Sequence, residues 1–291
     1  MTAEPASIDV EDADATLALY YDRLSRVVRW ARFFGYGGGY AGLAMHRGLA
    51  APGAAAPPSP EALDALLLER LASAREPDLL DAGCGFGGTV FRWRSRLGGR
   101  FDGLTLSAVQ AEIATAHAAR HGLGDDCRFF VRSYDLPPPR SYDLILAIES
   151  LVHSADIDRT IRNLAGALKP RGRIAVVDDM PDGALADCDK DFTQFRRGWR
   201  CARPPRADDF ARAFRAANLE LEENDDLTAW LRPRSLARIG ALAALNRLAY
   251  ALAPAAAARA MLDSYLGGLA LERLYRRGAM TYRLLVARRV Q

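Results

Sequence analysis

Two short stretches of the chain combine residue types that could do chemistry. The first, residues 79–89, reads Leu-Leu-Asp-Ala-Gly-Cys-Gly-Phe-Gly-Gly-Thr. It joins an apolar run to a segment of helical spacing, which predicts a strand, a tight turn and a helix start. Glycines let backbone N–H groups approach a ligand, and a helix start presents its positive end to polar groups. The stretch therefore predicts a cofactor site, with a purely structural turn as the alternative.

Two common nucleotide motifs do not fit this glycine turn. A dinucleotide fingerprint needs an acid at the end of the next strand to bind a ribose hydroxyl. Here that strand, residues 100–104, continues into Thr105, Leu106 and Ser107 without an acid. A P-loop needs Gly-Lys-Ser or Gly-Lys-Thr after the turn, and none follows. The distinguishing acid is Asp81, which precedes the first glycine.

Residues 81–87 resemble the first motif of the class I S-adenosylmethionine (SAM) dependent methyltransferases, D-x-G-C-G-x-G. The resemblance implies an α/β fold with a doubly wound, mostly parallel, Rossmann-like sheet, and SAM as methyl donor. It also implies that Asp81 attracts the sulfonium or amino end of SAM, while Gly83 and Gly85 bring backbone close to it.

A second string places the chain within that superfamily. Residues 103–110, Gly-Leu-Thr-Leu-Ser-Ala-Val-Gln, are similar to the G-x-T-L-S-x-x-Q string of its tocopherol, sterol and cyclopropane-lipid branch. In that branch hydroxyl and amide groups take the ribose hydroxyls, which assigns this role to Thr105 and Gln110. We also assign Leu106 and Ile148 to the donor site.

The adenine contact departs from the pattern of the superfamily. An Asp at the end of the third strand usually helps to hold adenine, but this chain has Arg132 there. The resemblance leaves three substitutes open: Ser133 through its backbone, Tyr134 by stacking, or Asp135.

The second reactive stretch is Glu-Ser-Leu-Val-His, which places Glu149 four residues before His153. The pattern E-S/A-x-x-H resembles that of methyltransferases that alkylate carbon, in which the Glu lies next to the transferred methyl. Methylation of a carbon–carbon double bond leaves a carbocation, and a base must then remove a proton. Glu149 is the predicted base, and His153 a relay, an orienting partner or a metal ligand. The alternative is that Glu149 begins a short helix and His153 packs against it.

Two segments are predicted to cover the site. The first is an amphipathic helix over residues 12–34 with a glycine-rich continuation, and the second, residues 181–205, mixes aromatic residues with arginines. The aromatic residues would either cover an apolar substrate or be simple core. The arginines would either form a solvated face or bind a diphosphate. The predicted substrate contacts are Tyr20, Trp30, Tyr36, Phe192, Arg196, Trp199 and Arg200.

These features together resemble the prenyl-diphosphate C-methyltransferases, such as those acting on geranyl diphosphate. The resemblance implies magnesium on the diphosphate; no protein ligand to a metal is assigned. At the end of a later strand, Asp178 and Asp179 could contact substrate or metal, or cap a helix.

Composition limits the other possibilities. The chain has 291 residues, half of them hydrophobic, and a net charge of +3. Nearly all basic residues are Arg, which suggests a GC-rich bacterial genome, and no basic run interleaved with aromatics indicates nucleic acid. The four cysteines lack metal or redox spacing, and no signal-peptide pattern begins the chain, so we expect a cytoplasmic protein. Charges and a proline interrupt the longest apolar region, residues 236–261, so no membrane span is expected.

Alternating strands and helices predict one elaborated α/β domain. Residues 1–58 would form a helical cap and linker, 59–180 the SAM-binding core, and 181–206 a lid insertion. Residues 207–291 would complete the sheet, with a helical insertion at 229–277.

The functional hypothesis is a SAM-dependent methyltransferase of bacterial secondary metabolism. It would methylate carbon of an isoprenoid or similar lipophilic small molecule, as in terpene biosynthesis, and a prenyl diphosphate is favoured. An O- or N-methyltransferase of a natural product is the first alternative, and a SAM-binding protein without catalysis the second. The sequence leaves the oligomeric state open.

Overall fold

The computed structural model describes residues 10–33, 43–71, 76–183, 185–201, 203–253 and 256–290, with only the backbone described at 10–13, 27–33 and 256–257. The strands are β1 Asp78–Ala82, β2 Arg100–Thr105, β3 Cys127–Val131, β4 Tyr142–Ile148, β5 Leu168–Pro181, β6 Leu219–Asp226 and β7 Met280–Arg289. The α-helices of this described part are α1 Val10–Phe33, α2 Pro60–Leu71, α3 Gly88–Leu97, α4 Ala108–Arg120, α5 Ile157–Gly166, α6 Lys190–Trp199, α7 Ala207–Ala216, α8 Leu236–Leu252 and α9 Ala256–Arg276.

The strands form one seven-stranded sheet in the order β3-β2-β1-β4-β5-β7-β6. The first five are mutually parallel, and β7 runs antiparallel to both of its neighbours. The predicted doubly wound, mostly parallel sheet is therefore confirmed. Because the carboxyl ends of β1, β2 and β4 lie at one edge, side chains that follow these strands meet there.

Alternate residues of the strands enter different core clusters, which is why both faces are covered. On β4, Leu144 and Leu146 pack with residues of α2, α3, α6 and α9, whereas Ile145 and Ala147 pack with residues of α5 and α7. Continuous apolar runs in the sequence are explained by this two-sided burial.

Several helix starts follow from side-chain caps. The Ser107 hydroxyl accepts a hydrogen bond from the backbone N–H of Gln110 (3.2 Å) at the start of α4. Asp156 caps α5 in the same way through the N–H of Arg159 (3.0 Å), so that helix begins at Ile157. The sequence pattern predicts this helix from about residue 159, two residues later. Such caps satisfy N–H groups that have no partner inside the helix.

Two local predictions are corrected by the structure. Lys169, Pro170 and Gly172 give residues 168–173 a sequence typical of a turn before a strand, but in the structure these residues lie inside β5. The pairing is irregular there: β4 advances from Tyr142 to Leu144 while β5 advances from Leu168 to Arg173. Helix α7 was not predicted, although Phe210 and Phe214 recur at helical spacing and are fully buried. Each of these rings contributes roughly 1.5–3 kcal/mol through burial.

The helices outside the sheet layers pack next to the strand ends. Helix α1 contacts α9 and α4. Helix α6 crosses α9 so closely that a Cβ on Gly198 would lie 2.7 Å from the Cα of Gly267. Among the described helices, none is long and apolar enough to cross a bilayer. The predicted domain boundaries stay a prediction.

Candidate active site

A cavity of about 200 Å³ lies beyond the carboxyl ends of β1, β2 and β4. Its walls come from these strand ends, from residues 43–46 and from helices α1, α6 and α9. The predicted donor residues that line it are Asp81, Gly83, Gly85, Thr105, Leu106, Gln110, Tyr134 and Ile148. The resemblance-based assignments therefore converge on one cavity, and Ser133 is the exception.

The turn after β1 has the backbone conformation that only glycine adopts easily. Gly83, Gly85 and Gly87 have φ of 104°, 54° and 81°. A Cβ on Gly83 would lie 2.3 Å from the Cβ of Ser150, so no side chain fits there. The hydroxyl of Ser150 donates to the carbonyl oxygen of Ala82 (2.6 Å) and ties the turn to the end of β4.

Asp81 is a buried carboxyl in the cavity wall. Burial, together with the nearby charge of Asp64, raises the pKa of Asp81 to about 7, against the opposing effect of Arg92. Arg92 and the indole N–H of Trp93 hold Asp64 in place. Because a cation beside Asp81 would favour its charged form, this carboxyl is suited to the positive end of SAM.

The predicted ribose contacts form a connected polar group. The Thr105 hydroxyl donates to the amide oxygen of Gln110 (2.7 Å) and accepts from the backbone N–H of Ser107 (3.1 Å). The amide nitrogen of Gln110 lies 3.1 Å from the sulfur of Met45. The residues therefore fit a ligand with vicinal hydroxyls at the end of β2.

The three residues that could replace the missing adenine-binding Asp differ in whether they reach the cavity. Tyr134 lines the cavity, and its hydroxyl donates to the carbonyl oxygen of Ser150 (3.1 Å). Asp135 instead points to α5 and accepts from Thr160. Arg132 lines the cavity but donates to the carbonyl oxygen of Pro137 (2.6 Å). Of the three proposed substitutes, Tyr134 is therefore the one that lines the cavity.

Glu149 follows β4 with a left-handed φ of 50° and lines the cavity. Its Oε1 accepts from the backbone N–H and the Nε of Arg47 (3.0 and 2.9 Å) and from the hydroxyl of Tyr282 (3.0 Å). This oxygen is therefore already bound by three donors. Sequence reasoning missed Arg47, a lone basic residue next to His46 in a small-residue stretch.

The Arg47 side chain lies next to the cavity, surrounded by two carboxylates and three aromatic rings. It donates to Asp179 (2.7 Å) and to the hydroxyl of Tyr275 (2.9 Å). Its guanidinium carbon lies 5.1–5.6 Å from the ring centroids of Trp199, Tyr275 and Tyr282. Of these three rings, only Trp199 is a predicted substrate contact, and the cation that they surround is a side chain of the protein itself.

Asp179, the second carboxylate that pairs with Arg47, has a perturbed pKa. Burial raises the pKa of Asp179 to about 6, Arg47 opposes the rise, and the neighbouring charge of Glu149 adds to it. Asp178 accepts from the backbone N–H of Val152 (2.8 Å), which supports the short 3-10 helix Leu151–His153. Of the two open roles for Asp178, capping is the one that this contact supports.

His153 lies in the cavity wall opposite α1. Its Nε2 is 2.7 Å from the hydroxyl of Tyr21, and both residues line the cavity. Burial lowers the pKa of His153 to about 4, with a smaller opposing effect from the backbone of Arg200. The imidazole is therefore neutral near pH 7. Burial also raises the pKa of Tyr21 well above its ordinary value, so its hydroxyl stays protonated.

The predicted substrate contacts separate into two groups. Tyr20 and Trp199 line the cavity. In contrast, Phe192 is buried in the core, Arg196 pairs with Asp187 (3.5 Å), and Arg200 is exposed at the end of α6. Tyr36 and the side chain of Trp30 lie outside the described residues. The structure therefore does not bring the predicted arginines to the cavity.

The described residues also include no group of three or more His, Cys, Asp or Glu that could hold a metal ion. Of the cavity-lining residues described, only Arg132 has a permanent positive charge. The described side chains therefore offer no ready-made ligand set for a magnesium ion.

The sheet order, the glycine turn after β1 and the cavity at the strand ends define a protein of the class I methyltransferase type. Residues 80–174 match the family model described as a methyltransferase domain. Methyltransferase GfsG of Streptomyces halstedii is 30% identical over 192 residues, which cover 60% of this chain and 68% of that protein. The chain belongs to the family of SAM-dependent methyltransferases.

A second relative and a solved structure extend the comparison. The 27-O-demethylrifamycin SV methyltransferase of Amycolatopsis mediterranei is 31% identical over 158 residues, covering 53% of this chain and 58% of that protein. The chain thus matches less than two thirds of this relative's length. The structure of geranyl diphosphate methyltransferase in complex with GPP and sinefungin has a TM-score of 0.73 at 23% identity, covering 96% of this chain and 100% of that one. At this identity the likeness concerns the fold.

Proposed function

We propose that the protein transfers the methyl group of SAM to a hydroxyl oxygen of a lipophilic natural product. The observation that carries the proposal is the neutral, buried His153 with its Nε2 2.7 Å from the Tyr21 hydroxyl in the cavity wall. A hydroxyl acceptor must lose a proton as its oxygen is methylated, and a positioned base supplies about 10²–10⁴-fold in rate. His153 is such a base.

The donor side of the reaction rests on the residues at the ends of β1 and β2. Bound SAM supplies an electrophilic methyl group on a sulfonium. Asp81 would lie beside its positive end, Thr105 and Gln110 would bind the ribose hydroxyls, and Tyr134 would stack on adenine. These contacts align the methyl group with the acceptor, so positioning contributes much of the rate.

On the acceptor side, Tyr21 and His153 would work as a relay. The acceptor oxygen forms the bond to carbon as the bond from carbon to sulfur breaks, which leaves S-adenosylhomocysteine (SAH). The acceptor proton goes to the Tyr21 oxygen, while the Tyr21 proton goes to Nε2 of His153. Leu17, Tyr20 and Trp199 in the cavity wall would contact the apolar part of the acceptor and exclude water.

Two observations favour oxygen over an alkene carbon. One oxygen of Glu149, the base that an alkene reaction would need, already accepts from Arg47 and Tyr282. The arginines expected to bind a diphosphate, Arg196 and Arg200, are not among the cavity-lining residues. The name of the rifamycin relative states O-methylation for that protein, which agrees with this reading.

C-methylation of an isoprenoid, with Glu149 as base, is the second candidate. It is supported by Glu149 in the cavity wall and by likeness over nearly the whole chain to a geranyl diphosphate methyltransferase. A prenyl diphosphate, with magnesium on its phosphates, is the substrate that this candidate requires.

A single assay separates the candidates. Purified protein is incubated with methyl-labelled SAM and a panel of phenols, macrolide and glycoside alcohols, and prenyl diphosphates with and without magnesium. We expect label on oxygen of an alcohol or phenol, strongly reduced in His153→Gln. Label on carbon of a prenyl diphosphate, lost in Glu149→Gln but kept in His153→Gln, would establish the second candidate instead.

A further inference from the structure

Residues 43–50, here called the strap, lie across the glycine turn. Leu43, Ala44, Met45 and His46 line the cavity. A Cβ on Gly88 would lie 2.7 Å from the backbone nitrogen of Ala44 and 2.8 Å from the carbonyl carbon of Leu43. The strap backbone therefore rests directly on the start of α3, at a glycine that leaves room for it.

The end of the strap is held by backbone hydrogen bonds. The backbone N–H of Leu49 donates to the carbonyl of Ser59 (3.0 Å), and that of Ala50 to the carbonyl of Trp230 (3.0 Å). Between this end and the cavity, the strongest attachment is Arg47. Its five-donor guanidinium and its own backbone N–H reach the end of β4, the end of β5, α9 and β7 through Glu149, Asp179, Tyr275 and the ring of Tyr282.

The electrostatics of this attachment favour one position of the strap. Asp179 is fully buried and Glu149 is 10% exposed at the side chain, so both carboxylates need the Arg47 charge beside them. Withdrawal of the strap would leave them unpaired in a buried site, which is strongly unfavourable. A lysine could not replace Arg47, because a single ammonium group cannot contact Glu149, Asp179 and Tyr275 on different elements at once.

We propose that Arg47 is a positioning residue that holds the strap against the glycine turn and thereby encloses the bound methyl donor. Glu149 is then the anchor of Arg47, and its effect on the reaction passes through donor binding. The inference rests on the proposed donor site, but not on which acceptor atom is methylated.

The test compares two ways of loosening the strap. Arg47→Met removes the anchor, and Gly88→Ala leaves the anchor intact but places a Cβ against the strap backbone. The matched controls are Arg70→Met, which breaks an ion pair with Glu223 and Asp225 outside the cavity, and Gly240→Ala in α8, where nothing lies within 4 Å of the added Cβ. Dissociation of SAH is measured by calorimetry and stopped flow, and hydrogen exchange is followed in peptides covering 43–50.

In the wild type we expect SAH to slow exchange in the strap. In both strap variants we expect SAH to bind at least about tenfold more weakly through faster dissociation, while kcat at saturating SAM changes by less than about threefold; such a split between donor affinity and kcat marks a positioning role. Both controls should match the wild type. If Arg47→Met fails to fold, Gly88→Ala and the wild-type exchange data still decide.

The contrary results are equally defined. Wild-type affinity for SAH in folded Arg47→Met or in Gly88→Ala would overturn the inference while leaving the proposed function intact. Loss of kcat with unchanged affinity would also overturn it, because Arg47 would then act on the chemical step. Absence of SAH binding in the wild type would overturn the donor site itself, and with it the proposed function.

Discussion

The hydroxyl of Tyr21 on α1 lies 2.7 Å from Nε2 of His153, which follows β4, although 132 positions separate the two residues in the chain. This contact joins the N-terminal helix to the carboxyl edge of the sheet inside the cavity. Both groups are held in their uncharged forms by burial. A neutral acid–base pair of this kind in a cleft is typical of a functional site.

Replacing His153 with Gln should remove the proton acceptor but keep a polar side chain of similar size. We predict that kcat falls by about 10²-fold or more while the affinity for SAH is unchanged. Steady-state kinetics and calorimetry on the same preparation check this. Glu149→Gln is the comparison, and it should weaken SAH binding more than it lowers kcat. If Glu149→Gln lost kcat while His153→Gln kept it, His153 would be excluded as the base.

Replacing Tyr21 with Phe removes the relay hydroxyl and keeps the ring. Because the proton could then reach His153 only through a less well-placed water, kcat should fall by about 10- to 100-fold. Tyr20→Phe is a matched control, since the Tyr20 hydroxyl donates to the carbonyl of Gly198 (3.1 Å) and takes no part in the relay. Equal activity in the two variants would contradict the relay.

The pH dependence of stability should report on His153. An unfolded histidine takes up a proton near pH 6.5, whereas folded His153 stays neutral down to about pH 4. The unfolding free energy should therefore fall as pH drops from 6.5 towards 4, by up to about 3 kcal/mol from this residue. Urea unfolding of the wild type and His153→Gln over this range would show a shallower fall in the variant; identical slopes would contradict the buried, neutral imidazole.

Donor binding should depend on pH through Asp81. Its pKa of about 7 in the free protein means that Asp81 is mostly protonated below pH 7. The ammonium group of SAH, if it lies beside Asp81, favours the charged carboxylate, so binding releases a proton. The SAH dissociation constant should then fall by up to about tenfold per pH unit as pH rises to 7, and level off above it. Calorimetry from pH 5.5 to 8.5 measures this. In Asp81→Asn the affinity should be lower and independent of pH, and a pH dependence kept in that variant would rule Asp81 out as its source.

Replacing Gly103 on β2 with alanine tests how tightly the residues next to the glycine turn are packed. A Cβ there would lie 2.7 Å from the sulfur of Cys84 and 2.8 Å from the ring of Phe129. Gly103→Ala should therefore cost about 1–3 kcal/mol in chemical denaturation. Gly166→Ala in α5 has nothing within 4 Å of the added Cβ and should be neutral or stabilising. Equal stabilities would show that the turn tolerates more volume than this packing allows.

The donor half of the site could be predicted from the sequence because its residues are local. Asp81, Gly83 and the pair Thr105 and Gln110 follow directly after strands, and the ends of parallel strands must meet. The strap could not be predicted in this way. Arg47 meets Glu149 across 102 positions, and no periodicity or motif records such a contact. Helix α7 was missed although Phe210, Ala213 and Phe214 recur at helical spacing and form its buried face.

The lid arginines show the opposite error. Composition indicated a phosphate site around Arg196 and Arg200, but α6 begins after the cap at Asp189. The guanidinium carbon of Arg196 lies over Phe192, 4.9 Å from the ring centroid. Charge content identifies the residues, whereas the directions of their side chains follow from where α6 begins and from its packing against α9. For the same reason Trp199 alone of the predicted α6 residues reaches the cavity.

The most direct test of the central claim is calorimetric titration of the purified protein with SAH at pH 8, where Asp81 is charged. The account predicts one site per chain with a dissociation constant on the order of micromolar, weakened by Gln110→Leu and unaffected by Arg70→Met. No detectable heat and no displacement of labelled SAM, with the protein shown to be folded, would contradict it.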